Sequence, residues 1–477
     1  MIQSQFRAPL VDALCSCASR QRSAFYTPGH KGGKGISKLH RTVFGDDIFR
    51  VDLPELPELD DLFAPESVIL EAEHLAARAF GAEQTWFLVN GSTCGVESAL
   101  LATCGPGDRV LVPRNAHQSV LSGLILSGAM PVWIAPAYDQ AWQLPLGVEA
   151  DEIAIALKQD PNIKAIVIVS PTYEGVCSDI KVISQIAHSY GIPLIVDAAH
   201  GPHFAFHDGL PPSALSCGAD IVVHSAHKVL AAFTQAALLH VQGERCDRDR
   251  LNQSLRITQS SSPSYLLLGS LDAARHQMAN WGQMLMEQTL QLAGAARQQL
   301  RNMNLPVLNV SQGGIFQQDL TRLTIDVSTM STTGFIADTW LNERGVTVEL
   351  PSFKHLTCIV SLGNSIEDID RLIQELRHLP ANGQMSIPQY ISPELPKLAM
   401  SPREAFFAPT RTCVIEDAVG CLSAQTICIY PPGIPNLMPG EVITEQVLQT
   451  LNRAQKCGAH LSGLADPTLR TLRVLRH

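Results

Sequence analysis

The sequence predicts an α/β protein: a mainly parallel sheet sandwiched by helices, followed by a small α+β domain and a C-terminal lobe. Between residues 84 and 245, short apolar runs alternate with amphipathic ones, the pattern of a parallel sheet covered on both faces. Residues 265–302 then read as one long helix with few breakers, and strand-like segments return after it. With 477 residues, of which 45% are hydrophobic and 17% charged, the chain has material for two or three packed units.

In chain order, an N-terminal arm is expected over 1–27 and the large domain, with its long connecting helix, over 28–302. TWFLV (85–89) reads as a strand and TCGVESALLATC (93–104) as a helix that stops at Gly105-Pro106-Gly107. RVLVP (109–113) is a strand, SVLSGLILSG (119–128) a helix and PVWIAP (131–136) a strand. The alternation continues through KAIVIVSPT (164–172), SQIAHSYG (184–191), IPLIVDAAH (192–200) and ADIVVHSAHK (219–228). TRLTIDVS (321–328), VTVEL (346–350) and LTCIVSLG (356–363) read as strands of a small domain over 303–380. The polar, Pro-rich stretch 380–396 marks a boundary before a lobe over 381–477. No internal repeat or low-complexity segment stands out.

A net charge of −10 argues against nucleic acid as a partner, because phosphate binding needs a basic surface. The start, MIQSQFRAPLVDAL, lacks the basic-then-apolar layout of a signal peptide, so a cytoplasmic protein is expected. The longest uncharged run, between His117 and Asp139, is broken by Gly123, Gly128, Pro131 and Pro136 and is not a membrane span. The twelve cysteines, of which Cys15 and Cys17 form the only close pair, show no zinc-like spacing and read mostly as reduced, small apolar residues.

In a parallel sheet, ligands bind beyond the carboxyl ends of the strands, so the polar residues that follow each strand carry the chemistry. Asp197 ends one apolar strand, and Lys228 stands at the end of another, after Ile221-Val222-Val223. A lysine able to hold a carbonyl cofactor and a carboxylate able to keep a pyridine nitrogen protonated are what pyridoxal phosphate requires. Taken singly, Asp197 reads better as a helix cap and Lys228 as a solvated charge. Ser92 and Thr93, between a strand and a helix, suit a phosphate at a helix N-terminus, and the same groups serve an ordinary N-cap. His117 follows another strand and is placed to stack on a ring. His200, three residues past Asp197, is expected to line the pocket; with His203 and His207 it lacks the partners of a metal site, and none is expected.

These segments together resemble the ornithine/lysine/arginine decarboxylase family. The matching stretches are YTPGHKGGKG (26–35), DLPELPELDDL (52–62), NGSTCGVESAL (90–100), RNAHQSV (114–120), PTYEG (171–175), VDAAHG (196–201) and HSAHK (224–228). SSPSYLLLGSLDAAR (261–275), SPREAFFAP (401–409) and YPPGIPNLMPGE (430–441) extend the resemblance over nearly the whole chain. It implies the aspartate-aminotransferase-like fold, fold type I of pyridoxal 5'-phosphate enzymes, with Lys228 carrying the cofactor and Asp197 on its pyridine nitrogen. It places His117 on the ring, Ser92, Thr93 and Ser225 on the phosphate, and His227 at the phosphate or in proton transfer. Ala198 and His200 depart from residues common at those positions, which leaves the fine shape of the pocket open.

The resemblance also implies the short form, since larger members carry a receiver-like domain ahead of PGHK, which here starts at residue 28. The expected unit is a homodimer or a dimer of dimers. The expected reaction is decarboxylation of a basic L-amino acid, arginine ranked before lysine and ornithine, to a polyamine-type amine. Lys228 is the expected proton donor, with His227 or His117 as alternatives. Glu349 is the expected partner of the substrate's side-chain cation, because it follows Val346-Thr347-Val348 and matches an acidic family position. It reads also as a solvent-facing glutamate before Pro351. Asp60, Asp61 and Glu441 stand in reserve. Rival readings are an aminotransferase or lyase on the same fold, against which the YPPGIPNLMPGE lobe speaks, and a non-catalytic regulator, against which Lys228, Asp197 and His117 speak.

Overall fold

The computed structural model describes residues 4–311, 315–380, 395, 397–430 and 433–476. Seven strands form the central sheet: β1 (Gln84–Leu88), β2 (Arg109–Pro113), β3 (Met130–Ile134), β4 (Ile163–Val169), β5 (Leu194–Asp197), β6 (Ile221–His224) and β7 (Ala237–Val241), in the spatial order β1-β7-β6-β5-β4-β2-β3. The pairs among β6, β5, β4, β2 and β3 are parallel, and only β7 runs antiparallel to its neighbours β1 and β6. The strands are apolar throughout because both faces are covered. Val222 and Leu238 enter one core and Val223 and Leu239 the other, following the two-residue period of a strand.

Helix α1 (Pro9–Ser19) and α2 (Val68–Phe80) cover one face, with Leu10, Leu14 and Ile69 in its core. Helices α3 (Gly91–Thr103) and α4 (Gln118–Ser127) cover the other. Gly95 lets α3 close on the sheet, since a Cβ there would lie 2.7 Å from Leu88 and 2.9 Å from Val223. A one-turn helix, α5 (Ala226–Val229), follows β6 and carries Lys228.

The long helix α6 (Tyr265–Asn302) has the predicted bounds, and its 38 residues span about 57 Å. Its first half is buried in the large core through Tyr265, Leu268 and Met278, and its last turns enter a second core through Ala296 and Leu300. That second core belongs to a small α+β unit, in which β8 (Arg322–Asp326) and β9 (Leu350–Pro351) both pair antiparallel with β10 (His355–Ile359). Two helices, α7 (Gly334–Asn342) and α8 (Ile366–Arg377), cover it; a capping box of Ser365 and Asp368 starts α8. The expected strand 346–350 is realised only at Leu350: the Val346 N–H bonds back to the Leu341 carbonyl at the end of α7, and pairing with β10 begins at Leu350.

The C-terminal lobe has its own apolar core, with Ile427, Leu437, Leu451 and Val474. Helix α9 (Pro402–Phe407) begins it, followed by β11 (Thr410–Val414), β12 (Ile427–Tyr430) and β13 (Pro435–Leu437). Helix α10 (Glu445–Lys456), β14 (His460–Ser462) and β15 (Thr471–Leu475) complete it. Most of the expected boundary stretch 380–396 lies outside the described residues. Among the described residues, no helix is long and apolar enough to cross a membrane.

Candidate active site

The parallel strands and β1 all end on one rim, and the predicted site residues come together there. Asp197 is the last residue of β5 and is 5% exposed; its Oδ1 accepts the Ala199 N–H at 3.2 Å. Next along the sheet, β6 ends at His224, and Ser225 leads into α5. Lys228 Nζ lies 3.0 Å from His200 Nε2 and 5.1 Å from the centre of the Tyr173 ring. Burial lowers the Lys228 pKa, opposed by the Asp197 and Glu349 carboxylates, so a free amine is more accessible than at an exposed lysine.

His200 is buried, and burial holds its pKa well below the usual histidine range. Its Nδ1 is buried without a hydrogen-bond partner, while its Nε2 faces Lys228. From below, the fully buried Arg322 donates to the His200 carbonyl at 3.0 Å and to Thr321 Oγ1 at 3.2 Å, and pairs with Asp319 at 3.6 Å. Asp319 also meets His203 Nε2 at 3.1 Å. Burial pushes the Asp319 pKa up, but the charges of His203 and Arg322 hold it well below the usual carboxylate range. His207 instead faces Glu287 at 2.9 Å. Thus the three histidines after Asp197 diverge.

His117 is the N-cap of α4, its Nδ1 accepting the Ser119 N–H at 3.2 Å. Burial lowers its pKa, with Asp197 opposing and Lys228 adding to the shift, which places the ring near both. His227 is tied back by a 3.0 Å contact between Nδ1 and the Ala236 carbonyl. At the start of α3, the expected cap is corrected: Asn90 is the N-cap, and its amide donates to the Thr258 carbonyl at 3.0 Å instead of capping the helix. Ser92 and Thr93 therefore sit in the first turn. Ser225 Oγ donates to Ser92 Oγ at 2.7 Å, while Thr93 is exposed.

Of the acidic candidates, Glu349 is exposed in the single chain, yet it is near enough to act on the charges of Lys228, His227, Tyr173 and Arg322. The reserve candidates have other partners. Asp60 accepts the backbone N–H groups of Asp61, Glu66, Ser67 and Ile69, so it fixes the loop into α2. Asp61 is exposed and accepts the Phe63 N–H at 2.7 Å. Glu441 is fully buried against Arg114 at 3.2 Å and accepts the Met438 N–H at 2.8 Å. Asp60 is thus engaged by four backbone donors, whereas Arg114 and the Met438 N–H share one Glu441 oxygen and its buried Oε1 has no hydrogen-bond partner. Sequence reasoning missed Tyr173, Arg322 and Asp319 as neighbours of the site. Tyr173 follows β4 at the rim, so the strand-end rule would have reached it; Arg322 opens a strand of another unit and gives no such signal.

A mixed sheet with a lysine, a carboxylate and two histidines gathered at its carboxyl rim defines an enzyme of the aspartate-aminotransferase-like class. The chain matches the models "Orn/Lys/Arg decarboxylase, major domain" over residues 8–320 and "Orn/Lys/Arg decarboxylase, C-terminal domain" over 386–468, and it belongs to that family of decarboxylases. It is 37% identical to an arginine decarboxylase of Bacillus subtilis, covering 99% of both chains. It is 38% identical to one of Halalkalibacterium halodurans, covering 99% of this chain and 98% of that protein. The constitutive lysine decarboxylase of Escherichia coli has the same fold, with a TM-score of 0.85 at 23% identity over 99% of this chain and 82% of that one.

Proposed function

We propose that the protein decarboxylates L-arginine, before lysine or ornithine, using pyridoxal 5'-phosphate and yielding a polyamine-type amine, agmatine in the first case. The observation that carries the reading is the 3.0 Å contact between Lys228 and His200 beside Asp197, at the rim where a ligand binds. The ranking of arginine is supported by the names of the relatives at 37% and 38% identity.

The residues fit the cofactor. The start of α3, which no side chain caps, offers N–H donors to a phosphate, and His200 and Tyr173 stand beside Lys228 where a ring would lie. Lys228 would hold it, Asp197 its pyridine nitrogen, and His117 would pack on the ring. Ser92, Thr93 and Ser225 would bind phosphate, with His227 beside them. When bound, the group supplies an electron sink for the pair released as carbon dioxide leaves. Lys228, in its ammonium form, would return a proton to the substrate's α-carbon, with the neutral His200 in hydrogen-bond reach to orient it. Glu349 pairs with the side-chain cation.

The working unit is a homodimer or a dimer of dimers. Phe25, Leu39, Val43 and Phe44 are 96%, 71%, 61% and 57% exposed along one N-terminal segment, an apolar surface suited to a second copy. A cytoplasmic location accords with this reading. The test is direct: purified protein should show a visible absorbance band that borohydride removes, and incubation with the three amino acids should form agmatine fastest. Turnover that persists in Lys228→Ala overturns the assignment.

A further inference from the structure

We infer that the C-terminal lobe is a brace that positions His117, with Arg114, Gly433 and Arg403 as its points of attachment. The inference rests on the rim being the cofactor site. Among the described residues, the lobe's hydrogen bonds to the large domain gather on residues 114–126, the segment that carries His117. At the end of β2, Arg114 donates to the Pro435 carbonyl at 2.5 Å and to Glu441 at 3.2 Å, with its guanidinium 5.5 Å from the Trp133 ring centre. At the start of α4, the Gln118 N–H donates to the Gly433 carbonyl at 3.2 Å. At its far end, Arg403 from α9 donates to the carbonyls of Ile125 and Leu126 at 3.0 and 2.8 Å.

A helix leaves its first N–H groups and last carbonyls unsatisfied, and here the lobe supplies partners at both ends of one short helix. Its N-cap is His117 itself. The His117 ring is pinned on one side by Ser119 and faces Gly433 on the other, where a Cβ would lie 3.3 Å from Nε2. Gly433 has φ of +83°, which favours glycine, so the loop can approach the ring edge-on without a side chain. Each contact bears on where the imidazole sits. The lobe reaches the site through geometry and offers it no reacting group at these points.

Two variants test the brace in the holoenzyme. In Gly433→Ala, the added methyl should displace the ring, changing the visible circular dichroism of bound pyridoxal phosphate, speeding its release on dialysis and lowering kcat about tenfold, with KM for arginine little changed. Arg403→Met, at an exposed residue, should shift the same signals in the same direction by less, with a melting temperature near wild type. Wild-type dichroism, cofactor release and kcat in both variants would overturn the brace. A lowered melting temperature with those signals unchanged would overturn it equally, because the contacts would then serve stability alone. A wild-type protein that takes up no cofactor would overturn the reading of the rim, and the brace with it.

Discussion

At Lys228, burial disfavours the ammonium while Asp197 and Glu349 favour it, and the first effect is the larger. Replacement by alanine should leave the fold intact and reduce turnover by several orders of magnitude, measured as amine release, because among the described residues no other lysine directly follows a strand on that rim. For Asp197→Asn we expect partial cofactor retention with a collapse of kcat, since an amide cannot hold a proton on the pyridine nitrogen; titrating the visible band alongside turnover separates the two. Glu349→Gln should raise KM for the preferred amino acid about tenfold and leave the band unchanged, the loss expected when a charged hydrogen bond is removed. Equal kinetics would return Glu349 to the solvent-facing role that its exposure suggests. Lys228, Asp197 and His117 were legible because each follows an apolar strand. The engagement of Asp60 and Glu441 was not, since their partners are backbone groups brought near by the fold or an arginine 327 residues away.

At the scale of the element, α2 carries a carboxyl that the sheet does not need charged. Glu73 is 4% exposed and accepts the Phe87 N–H of β1 at 2.9 Å, and burial pushes its pKa up to about 8. Unfolded, the group would titrate near 4.5. The folded protein therefore keeps a proton that the unfolded chain releases, and stability from this group is lost as pH rises from about 4.5 towards 8. Glu73→Gln, which mimics the neutral acid, should raise the melting temperature more at pH 8 than at pH 5; equal gains at both would refute the buried, protonated carboxyl. Element boundaries followed the sequence closely where period and punctuation agree, as at RVLVP and the long helix 265–302. They failed at VTVEL, where β-branched residues suit a strand but the Val346 N–H bonds back to α7 and ladder pairing starts only at Leu350.

Across the molecule, the sheet, the small unit and the lobe meet on the rim, and the N-terminal segment leaves Phe25, Val43 and Phe44 in solvent. Val43→Asp with Phe44→Asp should halve the sedimenting mass and lower activity together, if a second copy covers that face; an unchanged mass would place the interface elsewhere. The sequence by itself determined the fold class, the strand-end positions of Asp197 and Lys228, and the family, because periodicity and local punctuation are properties of contiguous residues. Only the tertiary structure decided that β7 runs against its neighbours, that Arg322 supports His200 from another unit, and that the lobe grips α4 beside His117. Those contacts join residues distant in the chain. Which of many arginines meets which carbonyl is set by packing, and no local pattern encodes it.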